Sequence, residues 1–369
     1  MRVAALLLAV LTATAPSTLQ AQWSIKTPTT ADLRGIDNVG KGIAWASGTN
    51  GTVLRTEDAG YLWQACTIPP NAEHLDFRGI QAFDANTAIV MSSGPGDQSR
   101  LYKTTDGCQT WTLLFTNPDK EGFFDSLLYV PDDDATLILG DPVNGQFRLF
   151  SQSGEGAPFS FNWNGHPITA QHGEAAFAAS NSNLIYNFGE GMFSFITGGS
   201  ISEIIHEEHG IDAKKGMFSE WSRSPLPFPH GEGSGAFSIA ARPAVKSEGD
   251  KKHGVVVGGD YTQPTKSQGT GAYSDDWGYH WHPSTTPPHG YRSAVAYDAA
   301  NKTWITVGPN GTDISTDDGR NWRPLHPTNN EAPDADQHWN ALSLPYAVGP
   351  HGRIGILNPS ALQPAPTKP

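Results

Sequence analysis

The chain has 369 residues, with 24 Lys and Arg against 37 Asp and Glu for a formal charge of −13, and it carries 40 Gly, 28 Pro and 11 Trp. An acidic chain without a basic stripe excludes a nucleic-acid partner, because phosphate binding rests on clustered Lys and Arg. Only 17% of residues are charged, and the wealth of turn formers excludes a mostly helical protein and points to many short strands.

At the N-terminus, MRVAALLLAVLTATAPSTLQA places Arg2 before an apolar run and ends in small residues near Ala21. That is the layout of a secretory signal peptide over residues 1–21, with the mature chain starting near Gln22. No later stretch reaches the roughly 18 consecutive apolar residues of a membrane helix. The product is therefore expected to be a periplasmic or secreted monomer with no membrane span. Residues 22–362 read as a single domain, and the closing QPAPTKP, residues 363–369, as a disordered tail.

Within that domain four segments align without gaps: Thr56–Trp63 (TEDAGYLW), Thr104–Trp111 (TTDGCQTW), Ser274–Trp281 (SDDWGYHW) and Ser315–Trp322 (STDDGRNW). They fit Ser/Thr-x-Asp-x-Gly-x-x-Trp, except that Cys108 stands at the glycine position of the second. The aspartate can accept N–H bonds inside the turn, glycine allows a positive φ, and tryptophan packs between sheets. The pattern locks a hairpin and does no chemistry.

An alternating strand, a second strand ending in glycine and a short third strand precede each turn, so one unit reads as one four-stranded blade. Weaker copies begin near Phe124 and Glu174. The segment WNALSLPYAVGPHGRIGILN supplies a last blade of three strands, and the N-terminal WSIKTP is expected to complete it and close the ring. The fold expected is all-β, a seven-bladed propeller. Residues from about 200 to 233 interrupt the rhythm and read as an inserted surface loop. Cys66 and Cys108 fall in the outer parts of neighbouring repeats, where a disulfide and two free thiols are both open readings.

The repeated turns, the inner-strand openings RGI, FRGI and GYRSAV, and the turns LGDP, VGGDY and VGPNG resemble the exported BNR/Asp-box propellers related to photosystem II stability and assembly factors. The resemblance spans nearly the whole mature chain. It implies a binding or assembly protein. The turns themselves are shared with sialidases and other glycoside hydrolases, so they specify fold better than activity.

Superposing the inner strands places Arg34, Arg78, Asp125, Glu174, Ser238, Arg292 and Asn340 around the central channel. The second-strand exits with Asn50, Asp141, Asp260 and Asn310 reach the same face, and the repeated turns lie at the other. So many charges are foreign to an apolar core. One reading pairs Arg34 with Asp125 and Arg292 with Glu174 as ties between blades. The other makes Arg34, Arg78, Arg292, Asp125, Glu174, Asp141 and Asp260 a face that binds a partner protein, an anionic glycan or an anionic small molecule.

A glycoside hydrolase, sialidase-like or otherwise, is the enzymatic alternative. Arg34, Arg78 and Arg292 would form an arginine triad; Asp125, Asp141, Asp260 and Glu174 are the candidate catalytic carboxyls, and Tyr261 or Tyr291 the nucleophile. No metal or cofactor is expected. The HEEH run at His206–His209 spaces its histidines one residue short of the zinc helix pattern, and no G-x-G-x-x-G or C-x-x-C supports an oxidoreductase.

Overall fold

The computed structural model describes residues 21–161, 167–186, 188, 193–212, 216–244, 252–328 and 331–362. The expected signal peptide and tail lie outside these, apart from Ala21. Seven antiparallel sheets of four to six strands are arranged in a ring, which makes the fold a seven-bladed β-propeller. No α-helix occurs among the described residues.

Blade 1 runs through Leu33–Gly40, Ile43–Gly48, Val53–Thr56 and Gln64–Ala65. Blade 2 starts at Phe77–Ala82 and blade 3 at Phe124–Val130. Blade 5 is built on Gly231–Arg242 and His253–Asp260, and blade 6 starts at Ala294–Asp298. Middle strands such as Ile43–Gly48 and Ala88–Ser92 are buried on both sides, because each sheet is sandwiched between two others.

The core is a ring. Seven clusters of buried apolar side chains occur among the described residues, one at each junction between neighbouring blades. The ring closes as expected: Trp23–Lys26 pairs antiparallel with Ile354–Leu357 as the outermost strand of blade 7. Head and tail of the chain thereby share one sheet, which completes blade 7 with a fourth strand.

Two features depart from the expectation. Residues 200 to 233 do not form an inserted loop. Glu203–Asp212 and Gly216–Pro225 are the third and fourth strands of blade 4, following Leu184–Tyr186 and Phe193–Ile196. Their length hid them, since the third and fourth strands of the other blades are shorter, as in Val53–Thr56 and Gln64–Ala65 of blade 1. Correspondingly, Glu174 is not on an inner strand. Glu174–Ala175 is a short strand paired with Gly198–Gly199 beside blade 5.

The four repeated turns share one hydrogen-bond pattern. The hydroxyl of Thr56, Thr104, Ser274 or Ser315 donates to the aspartate two residues on at 2.8–2.9 Å. It also accepts the N–H four residues on at 3.0–3.1 Å. The aspartate Oδ1 in turn accepts an N–H four residues beyond itself at 2.9–3.0 Å. Two successive residues adopt positive φ in each turn, for example Trp277 and Gly278.

The glycine position is also where the turn abuts the preceding blade: a Cβ on Gly278 would lie 2.6 Å from Phe188, and one on Gly319 2.7 Å from Val255. In the second turn Cys108 takes this position at φ 63° and forms a disulfide with Cys66 of blade 1, with the two Cα atoms 5.3 Å apart. The crowding that demands glycine elsewhere here brings a covalent partner within reach.

Candidate functional site

The turns between second and third strands and the starts of the inner strands converge on one end of the channel, because a hairpin returns to its starting side; the repeated turns lie at the other. A cavity of about 460 Å³ opens there, lined by Arg34, Arg78, Asp125, Asp141 and Asn340 together with aromatic residues of five blades or connections, Phe123, Phe177, Phe237, Tyr291 and Trp339 among them.

A β-bulge sets this geometry. In blades 1, 2, 3 and 5 the inner strand shifts register at Leu33/Gly35, Phe77/Gly79, Phe124/Ser126 and Ala236/Ser238. The bulged residue is thereby Arg34, Arg78, Asp125 or Phe237, turned into the channel. A small residue follows each because inner strands crowd at the axis: a Cβ on Gly35 would sit 2.5 Å from Ser47 Oγ and 3.1 Å from the Arg78 carbonyl.

Matching the second strands extends the register. Gly35 pairs with Ser47, Ala294 with Val307, and Ala341 with Val348. The equivalents in blades 6 and 7 are then Ser293 and Asn340, and both line the cavity. The expected Ser238 and Arg292 are each one residue out of register. Ser238 is buried and bonds Ser182 Oγ at 2.7 Å and the Val295 N–H at 2.9 Å. Arg292 is 1% exposed, ion-paired with Asp313, and donates to Asn310 Oδ1 at 2.6 Å.

Glu174 is withdrawn as well, paired with Arg223 at 3.1 Å. Asp260 is committed to its own turn, accepting the Thr262 N–H at 2.9 Å and the Thr262 hydroxyl at 2.6 Å. The Thr262 hydroxyl, ahead of burial, holds its carboxyl below the usual range. Of the seven expected ligand-binding residues the cavity thus gathers Arg34, Arg78, Asp125 and Asp141. With Arg292 buried there is no arginine triad, and the ties Arg34–Asp125 and Arg292–Glu174 are replaced by Arg34–Asp76, Arg292–Asp313 and Arg223–Glu174. Tyr261 and Tyr291 do reach the cavity, whereas the candidate carboxyls Glu174 and Asp260 are not among the residues that line it.

Asp76 bridges the two arginines, accepting from Arg78 Nε at 2.8 Å and lying 3.8 Å from Arg34 Nε. Both guanidinium side chains stay about one-third exposed, at 32% and 30%. Asp125 is the opposite case. It is 1% exposed, and its Oδ2 has no hydrogen-bond partner. Burial, then the charge of Asp141, pushes its carboxyl well above the usual range, against the pull of Arg78. Burial likewise pushes Asp141 up to about 6, although the Ala176 N–H donates to it at 3.1 Å. The two carboxyls titrate together and keep a proton to higher pH than a lone carboxylate does.

The wall opposite is aromatic. Phe177 stacks on Phe237 with ring centroids 4.1 Å apart, and Tyr291 meets Phe237 edge-on at 4.8 Å. Phe177 and Phe237 escaped sequence reasoning because they look like core. The small residues Gly35, Gly79, Ser126, Ser238, Ala294 and Ala341, aligned in place of the charged ones, give Phe237 and Ser293 their correct positions.

No protein-family model and no curated protein matches the chain. Solved structures do. A structure of YCF48 bound to a D1 peptide has a TM-score of 0.57 at 15% identity, covering 91% of this chain and 96% of that one. YCF48 from Cyanidioschyzon merolae has a TM-score of 0.57 at 14% identity, covering 92% and 100%. The likeness spans both chains, agrees with the resemblance read from the sequence, and shows the propeller fold.

Proposed function

We propose that this is an exported binding or assembly propeller that holds a segment of a partner protein in the cavity at its channel mouth, with Arg34 and Arg78 receiving an anionic group of that segment. The observation that carries the reading is a pair of part-exposed arginines, joined through one carboxylate, at the rim of an open aromatic-lined cavity. Such forks bind carboxylates in fixed orientation, and concave apolar sites with a few convergent polar groups are the common form of a binding site. A YCF48 structure with a D1 peptide is one case of this fold with a peptide bound. The Cys66–Cys108 disulfide fits an oxidising compartment, and with the signal-peptide layout of residues 1–21 it supports a periplasmic or secreted location.

The test is capture from an envelope extract by the wild type and by an Arg34→Ala/Arg78→Ala variant. Loss of at least one specific partner, by about tenfold in recovered protein, is expected from removing two charge-assisted contacts of about 1.4 kcal/mol or more in total. Identical partner sets would overturn the proposal for this face.

A further inference from the structure

Three side-chain atoms of cavity-lining residues are buried with no hydrogen-bond partner, and they are of both kinds: the donors Arg34 Nε, which lies 3.8 Å from Asp76 Oδ1, and Trp339 Nε1, and the acceptor Asp125 Oδ2. Buried polar groups are nearly always satisfied, so an open donor and an open acceptor on one cavity point to a ligand that supplies both partners. The charges lead to the same place. Arg34 and Arg78 are offset by Asp76 on one side, and on the other the Asp125 and Asp141 carboxyls share a retained proton, so a bare anion would meet acceptor oxygens there rather than further donors.

We propose that Asp125 and Asp141 form a second subsite, for an ammonium or other cationic N–H donor, beside the anion subsite of Arg34 and Arg78, so that the preferred ligand unit is dipolar with an apolar or aromatic body. The two subsites are neighbours, since Arg78 and Asp125 stand at the equivalent bulges of adjacent inner strands, in blades 2 and 3, and line the same cavity. That closeness suits the short carboxylate-to-ammonium spacing of an α-amino acid. The stacked Phe177 and Phe237 and the edge-on Tyr291 offer faces to the body of the ligand and, secondarily, to its cation. The cavity, at about 460 Å³, falls within the usual size of small-ligand sites. The same dipolar chemistry arises from a free amino acid or from adjacent acidic and basic side chains of a protein segment. This inference rests on the reading that the cavity is the binding face.

Calorimetric titration of the full-length mature protein with L-phenylalanine, 3-phenylpropionate and 2-phenylethylamine separates the subsites. L-Phenylalanine is expected to bind at least tenfold more tightly than either single-charge analogue. Asp125→Asn should abolish that advantage while leaving phenylpropionate binding unchanged, and Asp141→Asn should do the same should the first variant fold poorly. An end-blocked Asp-Phe-Lys peptide that outbinds Asn-Phe-Gln tenfold, with no preference for the free amino acid, would support the dipolar subsite and assign it to a protein segment. Equal binding of phenylalanine and phenylpropionate, with no preference between the peptides, would overturn the inference while leaving the anion subsite standing. Partner capture that ignores Arg34 and Arg78 overturns the binding face itself.

Discussion

At the residue scale, Asp141 sits where burial and charge oppose each other. Its folded-state value of about 6 lies above the 3.8 of a free carboxyl, so between those limits the folded protein binds more protons than the unfolded one. Stability contributed by this group is therefore present at low pH and is lost as pH rises from about 4 through 6. Asp141→Asn removes the charge and keeps an acceptor for the Ala176 N–H. The variant should melt higher than wild type at pH 8, by up to about 3 kcal/mol for a two-unit shift, and the gap should close by pH 4. Melting curves at both pH values check this, and a variant less stable than wild type at pH 8 would contradict it. The role of Asp141 was legible in the sequence only as a carboxylate at a strand exit. Its partnership with Asp125 depends on burial, which no local pattern encodes.

At the scale of elements, what was legible and what was not divides along hydrogen-bond register. The repeated turns were readable because each encloses its own chemistry within eight residues: hydroxyl, carboxylate, positive φ and tryptophan all act locally. Asp317 accepts from Ser315 Oγ at 2.8 Å, from the Asn321 N–H at 2.9 Å and from Asn321 Nδ2 at 2.8 Å. Asp317→Ala should cost about 1–2 kcal/mol in urea unfolding, since part-exposed bonds return some of their partners to water, without altering ligand binding at the opposite end of the blade. No shift of the urea midpoint would mean that the turn is held by its backbone alone. The inner strands were harder. A bulge moves a side chain to the other face without changing composition, so charge, the conspicuous signal, selected Arg292 over Ser293 and left Phe237 unnoticed. The ten-residue strands of blade 4 passed for an insertion for a related reason: they lack the turn that marks the outer strands of blades 1, 2, 5 and 6.

For the whole molecule, stability depends on closing a circle of seven packed junctions, and among the described residues a disulfide and a closing strand add to the packing and the ion pairs between blades. The Cys66–Cys108 disulfide fixes blade 1 to blade 2. The strand Trp23–Lys26 completes blade 7 from the opposite end of the chain. Trp23 is 3% exposed and packs on Trp339 with ring centroids 4.9 Å apart; Trp339 in turn lines the cavity. The closing strand is thus one side chain removed from the candidate site. Trp23→Ala should cost about 3–5 kcal/mol, as for other buried aromatic truncations. Because the ring is divided into separately packed junctions, the loss should show first as local opening: amide exchange should speed up at Ile354–Leu357 and least at the disulfide-tied strands between Leu33 and Thr116. The same variant should weaken any ligand that contacts Trp339, although no residue of the cavity wall has been changed. Uniform acceleration of exchange around all seven blades would show instead that the propeller opens as one unit, with the closing strand merely one of its parts.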